Sequence, residues 1–365
     1  MDVSDSVYMA IVTVFFVVSL AGMALLGGPD QAAAAVNTTE QVIGDITGEP
    51  SQSVDPWHTV CLGTGCIPPI DTPQYVPVSE ADWLEPGDQV VAVSLDGKEV
   101  AFPLHILVYH AVVNTWIGGV PVAVTYSPYS DVPAAFERMV DGRRLEFAHS
   151  GRLYNGNMVM ADRSTGTRWS QFTGAALDGE LGGADLTRID AHIVRWGIWR
   201  ENNPGGQVLS RHTGQFPPSH YLDQPYFAYH RSRDVPTGGG FDIHPKRVVH
   251  GIAVGDDAVA YRDAHLRAEN LVEDRVGTVA VMVVQDERRD RFLAFNRTVG
   301  GNALSFTLVN GTLRDTATGS RWAWNGRAVT GPLAGTRLQP IDLTRSYWYT
   351  WKLFHPDTRL YRSRG

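Results

Sequence analysis

The 365-residue chain holds two cysteines, only three lysines and no basic run. Its formal net charge is −8. That balance excludes a general nucleic-acid binder, because phosphate backbones are held by clustered Lys and Arg. Positive charge rests almost wholly on arginine, with Lys98, Lys246 and Lys352 as the exceptions. The common nucleophile and phosphate signatures are missing too. There is no Gly-x-Ser-x-Gly elbow, no phosphate loop and no His-Glu-x-x-His, so no reaction class can be read from a motif. A hydrophobic share of 43% and a charged share of 19% exclude global disorder. The length leaves room for two ordinary domains.

Residues 1–28 differ in kind from the rest. Val7 to Gly28 is a nearly unbroken apolar stretch, long enough to cross a hydrocarbon core of about 30 Å. One reading is a cleaved signal peptide, with Ala32–Ala35 supplying small residues at the cleavage site. Asp2 and Asp5 stand where a basic n-region belongs, and the apolar stretch is long. Both points favour an uncleaved transmembrane anchor. No basic residue follows before Lys98, which suits an outside-facing body. Either reading places the folded part outside the cytoplasm, with the membrane as a partner. Residues 29–74 read as an exposed Ala/Thr/Ser/Gly/Pro-rich linker. It carries Cys61 and Cys66 in the run CLGTGC. For an exported protein the default is a disulfide across this small loop. A metal or redox pair is the alternative, against which stands the spacing of four intervening residues rather than two.

The chain resembles itself. Residues 90–138 match 249–297 at an offset of 159, pairing Phe102 with Tyr261, Gly118 with Gly277 and Phe136-x-Arg138 with Phe295-x-Arg297. Phe147 matches Phe306. Asp162-x-x-Thr165-Gly166 through Trp169 then matches Asp315-x-x-Thr318-Gly319 through Trp322. Trp196-x-x-Trp199 matches Trp348-x-x-Trp351. So many ordered matches predict a duplication. The first unit spans 75–210, a connector rich in aromatics and histidine 211–247, and the second unit 248–365.

The period within each unit is that of strands, predicting a mainly β, α+β fold. Expected strands are Gln89–Leu95, Pro121–Tyr126 and Arg144–Phe147, repeated as Val249–Val254, Thr278–Val284 and Ala303–Leu308. One helix is expected in the first unit. Pro103 opens it, and Leu104, Leu107, Val108, Ala111 and Val112 form an apolar stripe. Its counterpart, Asp263–Glu273, is polar and reads less well as an amphipathic helix. The recurring Trp and Phe positions read as core. The paired Asp-x-x-Thr-Gly runs read as turns, with Asp bonding backbone N–H groups and Gly supplying the unusual dihedral.

The stretches AFPLHILVYHAVVNTWIGGVPVAVTYSPYS and SGRLYNGNMVMADRSTGTRWSQFTG, with HYLDQPYFAYH, TGSRWAWNGRAVTGPLAGTRL and WKLFHPDT, resemble the family catalogued as domain of unknown function 3179. The likeness runs from about Ile67 to the C-terminus. It implies no particular activity, and a bacterial or archaeal protein, often with an export or anchor segment. Members of that family usually carry a Tyr-Cys-Pro-x-Cys run, whereas this chain has Tyr126-Ser127-Pro128-Tyr129-Ser130. A hydroxyl neither forms a disulfide nor suits a soft metal. Asn203-Pro204 likewise stands where relatives often show His-Pro, as this chain does at His355-Pro356.

Fourteen residues separate Phe147 from Asp162, against eight between Phe306 and Asp315. The extra length reads as a longer 148–161 loop where a site is elaborated. The candidate site is therefore Tyr126, Ser127, Ser130, His110, His149, Tyr154 and Asn155 in the first unit. His110 and His149 are weak metal candidates. His105 and His110 lie about 140° apart around a helix and do not co-ligate. A hydrogen-bonded structural role suits His110 better than a site. His220, His230, His244 and His250, with Tyr221, Tyr226, Phe227 and Tyr229, read as an aromatic connector that packs the units together. The sequence assigns no cofactor. It favours a non-catalytic binding or scaffold module, the alternative being a metal-dependent or redox-derived enzyme.

Overall fold

The computed structural model describes residues 55–222, 226–236 and 241–362. The expected anchor at Val7–Gly28 lies outside them. Among the described residues no helix is long and apolar enough to cross a membrane. The fold is mainly β, as expected, with five short α-helices among the described residues.

Two series of elements run in the same order. The first opens with the antiparallel hairpin Gln89–Leu95/Lys98–Pro103 and the helix Leu104–His110. The hairpin Val112–Ile117/Val120–Ser127 and the strand Val132–Glu137 follow. The second has Val248–Val254/Asp257–Arg262, Asp263–Glu269, Leu271–Val276/Val279–Asp286 and Arg291–Asn296. These bounds match one for one at the offset of 159 read in the sequence. Each series closes with a short helix, Trp196–Asn202 or Trp348–Phe354. A strand then returns parallel to the first hairpin, Gln207–Leu209 or Arg359–Leu360.

Several local expectations need correction. The first series has two helices, not one. Its Leu104–His110 helix stops short of the predicted stripe: Ala111 turns to φ +58° and returns its N–H to Leu107 O, and Val112 already belongs to a strand. The polar counterpart is also helical over Asp263–Glu269. It buries one residue, Leu266, so its position on the hairpin rather than its own amphipathicity sustains it. Arg144–Phe147 is a break between Arg143–Arg144 and Phe147–Tyr154.

The 148–161 stretch is not a loop. Phe147–Tyr154 and Asn157–Asp162 form a hairpin, nearly all of it buried. Asn155 at φ +50° and Gly156 at φ +72° make its turn, the dihedrals an Asn-Gly hairpin requires. A Cβ on Gly156 would also sit 2.3 Å from the Tyr349 ring. Residues 55–74 join the first unit rather than hanging free: Trp57–Thr59 pairs with Phe147–Tyr154, and Ile70 bridges Val113.

The recurring aromatics are core, with Trp169, Trp196, Trp199, Trp322, Trp348 and Trp351 all buried. Phe172 stacks on Phe354 at 4.1 Å, joining the two halves, with Val132, Val249, Trp348 and Trp351 in the same cluster. The two Asp-x-x-Thr-Gly runs are turns. Asp162 accepts from the N–H of Thr165 at 2.9 Å and Asp315 from that of Thr318 at 2.7 Å, while Gly166 and Gly319 adopt φ of +70° and +72°.

Candidate functional site

The Ser127–Asp131 turn connects two strands of the first unit. Ser130 N–H closes it on Ser127 O at 3.3 Å, and Asp131 takes φ +57°. Ser127, Ser130 and Asp131 have no exposed surface. Tyr126 donates its hydroxyl to Asp131 Oδ1 at 2.9 Å. Asn157 Nδ2 donates to Ser130 Oγ at 2.8 Å and to Gln171 Oε1 at 2.7 Å, and Gln171 Nε2 donates to Thr125 Oγ1 and Val132 O. Ser127 Oγ has no hydrogen-bond partner among the described residues.

The second half and the connector close over this turn. Tyr347 N–H donates to Ser130 O at 2.7 Å. The hydroxyls of Tyr349 and Tyr229 donate to Tyr129 O at 2.7 and 3.3 Å. Arg345 grips Asp131 Oδ2 through Nη2 at 2.6 Å and Nε at 3.0 Å. His230 Nδ1 is hydrogen-bonded to the Tyr347 hydroxyl. Lys246 Nζ lies 3.1 Å from the Tyr229 ring centroid and donates to Tyr229 O and Ser232 Oγ. Burial shapes the titration of these groups. It lowers Lys246 to about 7, raises Tyr129 to about 12, and raises Tyr229 and Tyr349. The turn is thus a tie between the halves, sealed by aromatics.

The remaining candidates lie elsewhere. His110 Nδ1 donates to Pro68 O at 2.8 Å, and its Nε2 accepts from the Tyr221 hydroxyl at 2.7 Å. This buried ring carries structure, and burial lowers it to about 4. His105 faces Asp88 at 3.4 Å, away from His110. Tyr154 packs between Trp57 and Phe354, and Asn155 Nδ2 reaches Leu353 O at 3.3 Å, so both serve the contact between halves. His149 sits beside Cys61 and Cys66, which are joined as a disulfide. Of the connector residues, His220 stacks on Phe216 and packs at a tilt against Tyr109 in the first half, and His250 pairs with Asp263 in the second. The side chains of Tyr226 and Phe227 lie outside the described residues.

None of the expected site residues lines the cleft of about 410 Å³ on the first unit. Its walls include Asp71, Asn114, Trp116, Arg138, Arg144 and Glu146. Trp116 stands on an edge strand with 54% of its surface exposed, and the Arg144 guanidinium lies 5.8 Å from its ring. Arg163 joins Asp71 at 2.7 Å and Glu146 at 3.2 Å, while Asn114 donates to Asp71 at 2.7 Å. Arg138 donates to Leu145 O and Thr115 O and leaves Nε without a partner among the described residues. At the offset of 159 the second half has Glu273 for Asn114, Arg275 for Trp116 and Ala303 for Arg144. Two signals for these places were present in the sequence: Lys246 is one of three lysines, and Trp116 lacks an aromatic counterpart.

The family model for a protein of unknown function, DUF3179, matches residues 64–358. The chain belongs to this family. No curated protein and no solved structure matches it. The matched span takes in the Ser127–Asp131 turn, the Trp116 cleft, Lys246 and Arg345 of this DUF3179 chain, whereas Cys61 precedes it.

Proposed function

We propose that this DUF3179 protein is a membrane-tethered, extracytoplasmic binding module, built from two copies of one unit, that recognises a saccharide in the Trp116 cleft. The observation that carries the reading is the exposed Trp116 ring above a polar, open cleft, on a chain whose Ser127–Ser130 turn is sealed. An exposed indole offers a flat apolar face to a sugar ring, and amphipathic aromatics are favoured where one side of a ligand is apolar and the other wet. Asp71, Glu146 and Arg144 supply acceptors and a donor for hydroxyls, the convergent polar set that fixes orientation in a binding site. The tether rests on the Val7–Gly28 run, and the outside location on the absence of basic residues before Lys98. Calorimetry of the full chain against chito-, cello- and malto-oligosaccharides tests the reading. Binding to one class, weakened at least tenfold by Trp116→Ala, supports it; no binding in any class, or binding indifferent to Trp116, overturns it.

A second reading is catalytic and rests on Lys246. An amine held near neutrality by burial is the usual state of a nucleophilic or general-base lysine, and this one faces the Tyr229–Tyr349 cluster beside the Ser127 turn. Trapping by borohydride with a carbonyl substrate, lost in Lys246→Met, would favour this reading over the first.

A further inference from the structure

The first half alone carries a bulge in its long hairpin, where the register shifts between His149 and Leu153. The counterpart hairpin, Phe306–Val309/Thr312–Asp315, pairs without a shift. The Cys61–Cys66 loop is docked on that bulge. Val60 and Cys61 N–H groups donate to Gly151 O at 2.8 and 3.2 Å, and Gly65 N–H donates to His149 O at 2.8 Å. Gly151 adopts φ +84°, and a Cβ there would lie 2.4 Å from Cys61 O. Backbone hydrogen bonds therefore dock the loop on the bulge independently of the sulfurs. Opening the S–S bond leaves both cysteines on the same framework, with Cα atoms 6.1 Å apart. Cross-linking so short a loop restricts the unfolded chain less than closing a long one does, which makes stability the weaker reason for the bond. Leu62, Gly63 and Thr64 are exposed and both cysteines are half-buried, so an external thiol can approach.

His149 completes the arrangement. The ring is buried, and one of its nitrogens lies within 4.8 Å of both sulfurs. Gly151 N–H donates to its Nδ1 at 2.8 Å. The neutral ring therefore carries its proton on Nε2. That assignment decides between two chemistries. A metal bound by Cys61, Cys66 and His149 needs an imidazole lone pair, and the Nδ1 lone pair is already engaged. Binding through Nε2 would move the ring proton to Nδ1, against the Gly151 N–H. A thiolate instead needs a donor, and Nε2–H is one.

We propose that Cys61 and Cys66 are an exchangeable dithiol–disulfide couple in which His149 is the positioning residue that stabilises the released thiolate. The co-reactant is a dithiol, protein-borne or small. Its thiolate attacks one of the two sulfurs; the S–S bond breaks, a mixed disulfide forms, and the other cysteine leaves as thiolate beside His149. The second thiol of the co-reactant then attacks the mixed disulfide and releases the remaining cysteine. Two electrons and two protons pass from the dithiol to the pair, and the dithiol leaves as a disulfide. The reverse direction oxidises a dithiol partner. This couple lies apart from the Trp116 cleft and does not depend on its ligand.

The experiment equilibrates the full chain in buffers of reduced and oxidised dithiothreitol, counts free thiols by alkylation and mass, and follows near-ultraviolet circular dichroism. We expect reversible reduction with the fold kept. His149→Gln, which retains an N–H donor, should hold the equilibrium within about threefold, while His149→Phe should move it at least tenfold toward the disulfide. Reduction that occurs only as the fold is lost, or equal behaviour of all three proteins, overturns the proposal. So does uptake of one equivalent of zinc by the reduced protein that His149→Phe abolishes. Should His149→Phe not fold, the pH profile of iodoacetamide alkylation of the reduced native chain decides the matter. An apparent thiol pKa clearly below the ordinary value of about 8.5 supports the proposal, and an ordinary value overturns it.

Discussion

Asp131 and Arg345 are 214 positions apart and form an ion pair at 2.6 Å, with the carboxylate fully buried and the guanidinium partly so. The pair is the first rung of a ladder of alternating charge. Arg345 reaches Asp263 at 3.8 Å, Asp263 holds Arg267 at 2.8 Å, Arg267 holds Asp290 at 2.8 Å, and Asp290 takes Arg195 at 2.9 Å. The ladder takes in the aspartates of the two equivalent turns, since Asp290 follows Asp131 by the offset of 159. Each of them receives a guanidinium from the opposite half. His250 joins at Asp263, and together with the two guanidiniums it holds that carboxyl well below the usual range against the opposing effect of burial.

Removing Arg345 leaves the Asp131 carboxylate buried with its strongest partner gone. Stranding a buried charge costs about 3–5 kcal/mol. Arg345→Met should therefore lower the unfolding free energy by about 3 kcal/mol, read by urea denaturation at neutral pH. A loss below about 1 kcal/mol would show that the pair is not what joins the halves.

The two serines of the turn should respond in opposite directions. Ser127 buries a hydroxyl that bonds nothing among the described residues, so Ser127→Ala removes a desolvation penalty and should be neutral or stabilising by up to about 1 kcal/mol. Ser130 accepts from Asn157 at 2.8 Å. Ser130→Ala orphans that donor and should cost about 1–2 kcal/mol. Equal effects from the two would contradict the assigned bonding.

Acid should unfold the protein early. Burial lowers both His110 and His149 from 6.5 to about 4. Between those values the unfolded chain binds protons that the native rings refuse. Stability is therefore full above pH 6.5 and is lost as the pH falls toward 4, by up to about 3 kcal/mol per ring. Denaturant midpoints between pH 4 and 7.5 should show this slope, and His110→Asn should reduce it. A flat profile would contradict the neutral, buried assignment of both rings.

Lys246 predicts the opposite end of the range. Its pKa falls from 10.5 to about 7 on burial. Between pH 7 and 10 the unfolded chain carries a proton that the folded amine lacks, so stability should rise with pH across that window. Lys246→Met should flatten the rise while leaving the fold intact by circular dichroism. An unchanged slope in the variant would place the titration on another group.

Much of the fold was legible in the sequence because its periodic features are local. Gln89–Leu95 is a run of valines and alanine between turn residues, and it forms a strand at those bounds. Asp162 and Asp315 formed turns because an Asp side chain bonds the N–H three residues on, wherever the segment sits. The extent of the Leu104–His110 helix and the nature of 148–161 were less legible. The first ends where Ala111 adopts a left-handed dihedral so that Val112 can join a sheet, and the second is a hairpin buried against Trp57–Thr59 and the second half. Both outcomes depend on partners distant in the chain.

The candidate site divides in the same way. The sequence by itself determined that the chain has two matching series of strands, no common catalytic motif and serines at 127 and 130, since these are properties of residue order. Only the tertiary structure decided what surrounds them. It sealed the serine turn under Tyr229, Tyr347 and Tyr349, joined Asp131 to Arg345, supplied Pro68 and Tyr221 as the partners of the structural His110, and set His149 against Cys61 and Cys66. Each of these contacts links segments tens to hundreds of positions apart, and their geometry is fixed by packing between whole elements, which no local period or spacing encodes.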